Sequence, residues 1–207
     1  MGRRKSLPKV LTKEEQQAFL DIFNTRYPTQ LRNKTMVLFM LRTGTRLSET
    51  TNMKWKYINL KSGKVQVIEG KGAKDRNIWA NEETIEQLKV WKERQEEELA
   101  KRDVETEYVF STLQGNKVDD NNIRNMMYKY AEKAGIQDYE WKKNDDDEPY
   151  RVRKVSPHVL RHTHATDLLS KTNIRTVQKV LGHANLETTK IYLHVNDKDV
   201  KKAMRSL

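Results

Sequence analysis

Apolar residues in this chain recur mostly at intervals of three and four, the repeat of a helix with one buried face. Phe19, Leu20, Ile22 and Phe23 form such a face behind Thr12-Lys13-Glu14-Glu15. Thr and Glu three apart make a capping box, which predicts that a helix starts there. Met36, Val37, Phe39, Met40 and Leu41 predict a second helix ending at Gly44, a residue suited to the left-handed conformation that closes helices. Thr45 to Met53 predicts a short third helix. The repeat then falls to two: Tyr57–Leu60, Lys64–Glu69 and Arg76–Trp79 alternate or carry β-branched residues, with Ser62-Gly63 and Gly70-Lys71-Gly72 as breaks. A small antiparallel sheet follows from this, with Lys71 in a tight turn.

Helical spacing returns after Asn81, which is placed to cap a long helix through Ile85, Leu88, Trp91 and Leu99, with Glu96-Glu97-Glu98 on its solvated face. Ile123, Met126, Met127, Tyr130 and Ala134 mark another helix, ended by Gly135. Residues 137–150 read as a polar loop. Ser156-Pro157 opens a helix with Ser as N-cap and Pro at the first helical position, and Asn173 caps one that ends at Gly182. Short helices over 187–192 and 197–206 complete the pattern. The fold class that follows is mainly α with a small antiparallel β-sheet (α+β). It comprises a basic extension over residues 1–11 and one domain over 12–207.

Composition narrows the function. Among 207 residues, 40 Lys and Arg against 29 Asp and Glu leave a net charge of +11. The excess sits at the ends: +4 in residues 1–11 and +8 in 151–207, with the stretch between them near neutral. An acidic partner is implied, and nucleic acid is the commonest polyanion in the cytoplasm, where the chain is expected to work. The absence of Cys excludes a disulfide framework, Cys-type zinc sites and thiol catalysis. No apolar run approaches the ~18 residues of a membrane span.

All five histidines lie in the last quarter of the chain. His158 and His162 are four apart, but the Glu of a His-Glu-x-x-His metal motif is missing. Asp145-Asp146-Asp147-Glu148 reads as a solvated loop rather than a two-metal site. Pro157-His158-Val159-Leu160-Arg161-His162 carries more. His158 and Arg161 sit three apart at a helix start, where free N–H groups and the helix dipole favour a phosphate.

Taken in order, five boxes resemble the tyrosine recombinase (phage integrase) family. They are Thr43-Gly44-Thr45-Arg46-Leu47-Ser48-Glu49, the Lys71 turn, His158-x-x-Arg161-His162, Leu181-Gly182-His183, and Tyr192 nine residues further on. The resemblance runs from about Leu11 to the C-terminus. It implies that Arg46 and Arg161 clamp the scissile phosphate and that Lys71 protonates the departing 5′-hydroxyl. His158 and His183 would bond the phosphate and manage the nucleophile's proton. Tyr192 would attack and hold the DNA as a 3′-phosphotyrosine, with Glu49 supporting the arginine site. The residue types suit the reaction, because cationic side chains can take the place of metal ions around a charged phosphoryl group. A phenol of pKa about 10 also needs such surroundings to ionise.

The resemblance further implies a site-specific recombinase that uses no cofactor, metal ion or ATP. Its partner would be double-stranded DNA, on which it would form a tetramer while remaining largely monomeric when free, with no membrane association. Family members usually carry a separate N-terminal DNA-binding domain, whereas only about ten residues precede the catalytic region here. A catalytic fragment and a short, catalytic-domain-only invertase both fit. A type IB topoisomerase-like enzyme and a non-catalytic DNA-binding regulator of the same fold are the alternatives.

Overall fold

The computed structural model describes residues 9–68, 75–144 and 147–182. The chain begins with α1 (Lys13–Asp21), α2 (Pro28–Thr43) and the short α3 (Leu47–Thr51), then a 3₁₀ turn at Trp55–Tyr57. β1 (Lys64–Val67) and β2 (Arg76–Trp79) precede the long α4 (Glu82–Ala100) and α5 (Asp120–Lys133). β3 (Tyr139–Lys143) and β4 (Pro149–Arg153) lead to α6 (Pro157–Leu169) and α7 (Ile174–Leu181). Among the described residues no helix is long and apolar enough to cross a membrane.

The predicted caps form. Thr12 accepts from the Glu15 N–H at 3.2 Å while Glu15 accepts from the Thr12 N–H at 2.9 Å. Asn81, Ser156 and Asn173 cap α4, α6 and α7. α2 is the central rod and packs against both α4 and α6. Met36, Val37, Leu38, Phe39, Met40 and Leu41 are all buried, so this helix is apolar around most of its circumference, as a core helix must be. Full burial of each such large side chain contributes about 1.5–3 kcal/mol. Phe39 meets Phe110 edge-on at 5.8 Å, and the Trp91 indole donates to the Val109 carbonyl at 2.7 Å. A smaller cluster of Ala165, Leu169, Val177 and Leu181 joins α6 to α7. That packing is what holds α7, because an eight-residue helix is unstable alone.

Three local expectations are corrected. Tyr57–Leu60 is not a third strand; only Ile58 bridges to Val65. Asn59 folds the chain back instead: its side chain accepts from the Lys61 and Ser62 N–H groups at 3.0 and 2.9 Å. Glu98 does not lie on a solvated face. It is buried, and its carboxylate gathers Arg94, Lys101 and Arg102. Within 137–150, the expected polar loop contains β3, which pairs with β4 in an antiparallel hairpin running from Tyr139↔Arg153 to Lys143↔Pro149. Its strands bury little, so hydrophobic alternation does not reveal them.

Candidate active site

Gly44 ends α2 in the left-handed conformation at φ 67°, and its N–H donates to the Met40 carbonyl at 2.9 Å. Space demands glycine here as well as angle, because a Cβ would come within 2.4 Å of the His164 ring. The loop that follows is held by buried hydroxyls. Thr43 donates to the Phe39 carbonyl at 2.6 Å, Thr45 lies 3.2 Å from Thr43 and 2.9 Å from Thr50, and Thr50 donates to the Arg46 carbonyl at 2.9 Å. Arg46 thus leaves a rigid loop as the N-cap residue of α3, with its side chain 40% exposed.

Glu49, one turn into α3, is the buried counter-charge. It accepts from the Arg46 N–H at 2.7 Å and from Arg46 Nη1 at 2.6 Å. From the other side it takes both terminal nitrogens of Arg76, at 3.0 and 2.8 Å. Burial pushes the Glu49 carboxyl upward, but the Arg76 bonds and charge, with the Arg46 donors, overcome this and hold it at about 2. The sequence motifs place Arg76 only at the start of a strand and do not single it out. The overlooked signal is the two-residue strand repeat. Arg76 and Ile78 share a face, Ile78 is buried, and Arg76 must therefore point inward as well. Arg76 Nε also donates to the Val180 carbonyl at 2.9 Å, tying β2 to the end of α7.

α6 supplies the second group. Ser156 and Pro157 set its start, His158 is exposed in the first turn, and Arg161 one turn later is buried. Arg161 donates to the Gly44 carbonyl at 2.7 Å and to the Leu181 carbonyl at 2.5 Å. These carbonyls lie two residues before Arg46 and two before His183 along the chain. One guanidinium therefore fastens the Arg46 loop and the end of α7 to α6. Lys71, His183 and Tyr192, with the short helices expected near 187–192 and 197–206, lie outside the described residues. Among the described residues no three His, Asp or Glu side chains gather closely enough to hold a metal ion.

His164 is a supporting residue. Its Nδ1 lies 3.1 Å from the Leu41 carbonyl, and its Nε2 is buried without a partner among the described residues. Burial drives its pKa down to about 4, against weaker upward pulls from the Leu41 carbonyl and Asp167. His162 moves the same way, chiefly through burial and then through the charges of His158 and Arg161. The folded state therefore takes up fewer protons than the unfolded chain between about pH 6.5 and 4, and stability falls as pH drops through that window. His164 contributes at most about 3 kcal/mol of this loss. In His164→Asn an amide can still donate to Leu41 but cannot titrate. Urea unfolding between pH 7 and 4 should show most of the acid slope gone. An unchanged slope would remove His164 as its source.

A sequence profile of the phage integrase family matches residues 9–199. Tyrosine recombinase XerA of Thermococcus kodakarensis is 34% identical over 203 residues, an alignment spanning 96% of this chain and 62% of the relative. Among solved structures, a XerA recombinase superposes with a TM-score of 0.77 at 29% identity, covering 100% of this chain and 66% of that one. A XerH site-specific recombinase bound to palindromic difH substrate, in a post-cleavage complex, superposes with a TM-score of 0.72 at 26% identity, covering 98% of this chain and 55% of the other. The chain spans about three fifths of the length of the curated relatives it matches.

Proposed function

The chain belongs to the phage integrase family, and from that premise we propose that it cleaves and rejoins double-stranded DNA by site-specific recombination through a 3′-phosphotyrosine. The observation that carries this reading is Arg161 bonding at once to Gly44 and Leu181, which draws the Arg46 loop and the approach to His183 onto the start of α6.

In the proposed reaction the Tyr192 oxygen attacks phosphorus and the bond to the 5′-oxygen breaks. His158 and His183 manage the phenolic proton, and Lys71 protonates the departing oxygen. Arg46 and Arg161 hold the non-bridging oxygens, where charge builds in the transition state. The phosphodiester energy is kept in the covalent link, so the reverse attack by a 5′-hydroxyl reseals the strand without ATP. Arg76 is unsuited to replace Lys71 as the acid, since its guanidinium is committed to Glu49 and Val180. On this reading the protein works in the cytoplasm, is largely monomeric when free, assembles as a tetramer on DNA, and needs no metal or cofactor.

The test is trapping of a covalent protein–DNA complex on nicked substrates, followed by a plasmid assay. Strand exchange requiring two sites supports recombination. Site-independent relaxation would indicate a type IB topoisomerase-like enzyme, and no adduct would indicate a regulator. The role of Lys71 has its own test. Lys71→Ala should slow cleavage by about 10²–10⁴-fold and recover much of the rate on a substrate with a 5′-bridging sulfur, which leaves without a proton. Equal slowness on both substrates would remove Lys71 as the acid and make Lys74, three residues on, the next residue to test.

A further inference from the structure

The β3–β4 hairpin takes no part in the proposed chemistry, yet its two faces are built differently. Pairing places Glu140 opposite Val152 on one face, and this face meets the body of the protein through a Lys9–Glu140 ion pair of 2.8 Å. On the other face Tyr139 lies opposite Arg153 and Trp141 opposite Arg151. The Arg151 guanidinium stacks 3.3 Å from the centre of the Tyr139 ring, and that of Arg153 lies 4.5 Å from the ring of Tyr128 on α5. Trp141 is 72% exposed. Glu132 reaches this face too, but its carboxylate accepts the Tyr139 hydroxyl.

Arg42, Arg46, Arg76, Arg94 and Arg102 each hold a carboxylate. Arg151 and Arg153, like the exposed Arg26 and Arg175, hold none among the described residues, but Arg151 and Arg153 lie side by side on one hairpin face, each over an aromatic ring. A guanidinium laid flat on a ring has one face covered while its in-plane N–H groups stay at the rim, the arrangement that suits two phosphate oxygens. A two-stranded hairpin is marginal in water, and an exposed Trp adds little to its stability. β4 ends four residues before Pro157 opens α6, so the base of the hairpin lies next in the chain to the helix that bears His158 and Arg161.

We propose that this hairpin face is a DNA-backbone contact. Arg151 and Arg153 each grip a phosphate, and Trp141 packs against the adjoining sugars, beyond the duplex held at the cleavage site. The inference rests on the reading of duplex DNA as substrate. Contacts of this kind set register and affinity but carry no base sequence.

The test uses the full chain and a labelled duplex of about 30 base pairs and arbitrary sequence, titrated at several salt concentrations. R151Q/R153Q leaves a planar amide over each ring and removes both charges. The plot of log affinity against log salt should become shallower by about 2, with affinity falling roughly tenfold or more on every sequence. Independently of any variant, phenylglyoxal should modify Arg151 and Arg153 in the free wild-type protein and be blocked when the duplex is bound. An unchanged salt slope, or equal modification with and without DNA, overturns the contact. So does a variant that keeps its slope but loses self-association, which would give the face to a second copy. Failure of the recombination reading looks different: both arginines would be protected and no Tyr192 adduct would form.

Discussion

Tyr192→Phe is expected to lower the covalent protein–DNA adduct by at least about a thousandfold, since groups that act as one catalytic unit fail together when the nucleophile is lost. The substitution removes one oxygen and keeps the ring. Affinity for duplex DNA should stay within about threefold, because most of it comes from phosphate contacts that Tyr192 does not make. The measurement is adduct yield on a nicked substrate with binding followed in parallel. If the variant still forms the adduct, the nucleophile is another residue. If the variant loses binding as well, Tyr192 holds structure rather than attacking phosphorus.

Breaking the Glu49–Arg76 pair should have the largest effect on stability. Both side chains are under a tenth exposed, so Arg76→Met leaves a buried carboxylate with only the Arg46 donors. A cost of about 3–5 kcal/mol is expected, as for other buried pairs that lose one partner. The double variant Glu49→Gln/Arg76→Met should cost less than the sum of the single changes, because no orphaned charge remains.

The pH dependence has a definite sign. Wild-type Glu49 titrates at about 2 in the fold, below its ordinary value, so its stabilisation is present above about pH 4.5 and lost as pH falls toward 2. In Arg76→Met the burial remains while the main opposing partner is gone, which moves the carboxyl upward. The deficit of the variant should therefore shrink on acidification, as Glu49 takes up a proton. His164 titrates in both proteins and cancels in the difference. Adduct formation at saturating DNA should also slow, roughly 10–100-fold, since Glu49 aims Arg46. A variant that unfolds and cleaves like the wild type would show that Arg76 does not position the site.

How much of this was legible in the sequence depends on the distance over which each feature is decided. The caps at Thr12, Asn81, Ser156 and Asn173 involve a side chain and an N–H three residues on, and the closure of α2 at Gly44 involves one turn. Such contacts form within a few residues whatever the rest of the chain does, so the residue types alone determined them. The apolar residues from Met36 to Leu41 likewise determined that a helix forms there, while its central place came from packing against α4 and α6. The identities of Arg46, His158 and Arg161 as candidates were also readable, through the resemblance of their surrounding boxes.

What Arg161 does was not readable. Its acceptors are backbone carbonyls 117 and 20 residues away, and a carbonyl has no residue type to betray it. The bond between Glu49 and Arg76 spans 27 residues and exists only because β2 turns Arg76 inward beside α3. The β3–β4 hairpin was hidden for a different reason: exposed strands joined by cross-strand pairing and cation–π stacking leave no hydrophobic alternation to follow. The sequence by itself determined the helices, the residues that cap them, and which charged residues lead them. Only the tertiary structure decided which of those charges are buried, because burial of a charge is settled by the partner that three-dimensional packing brings to it.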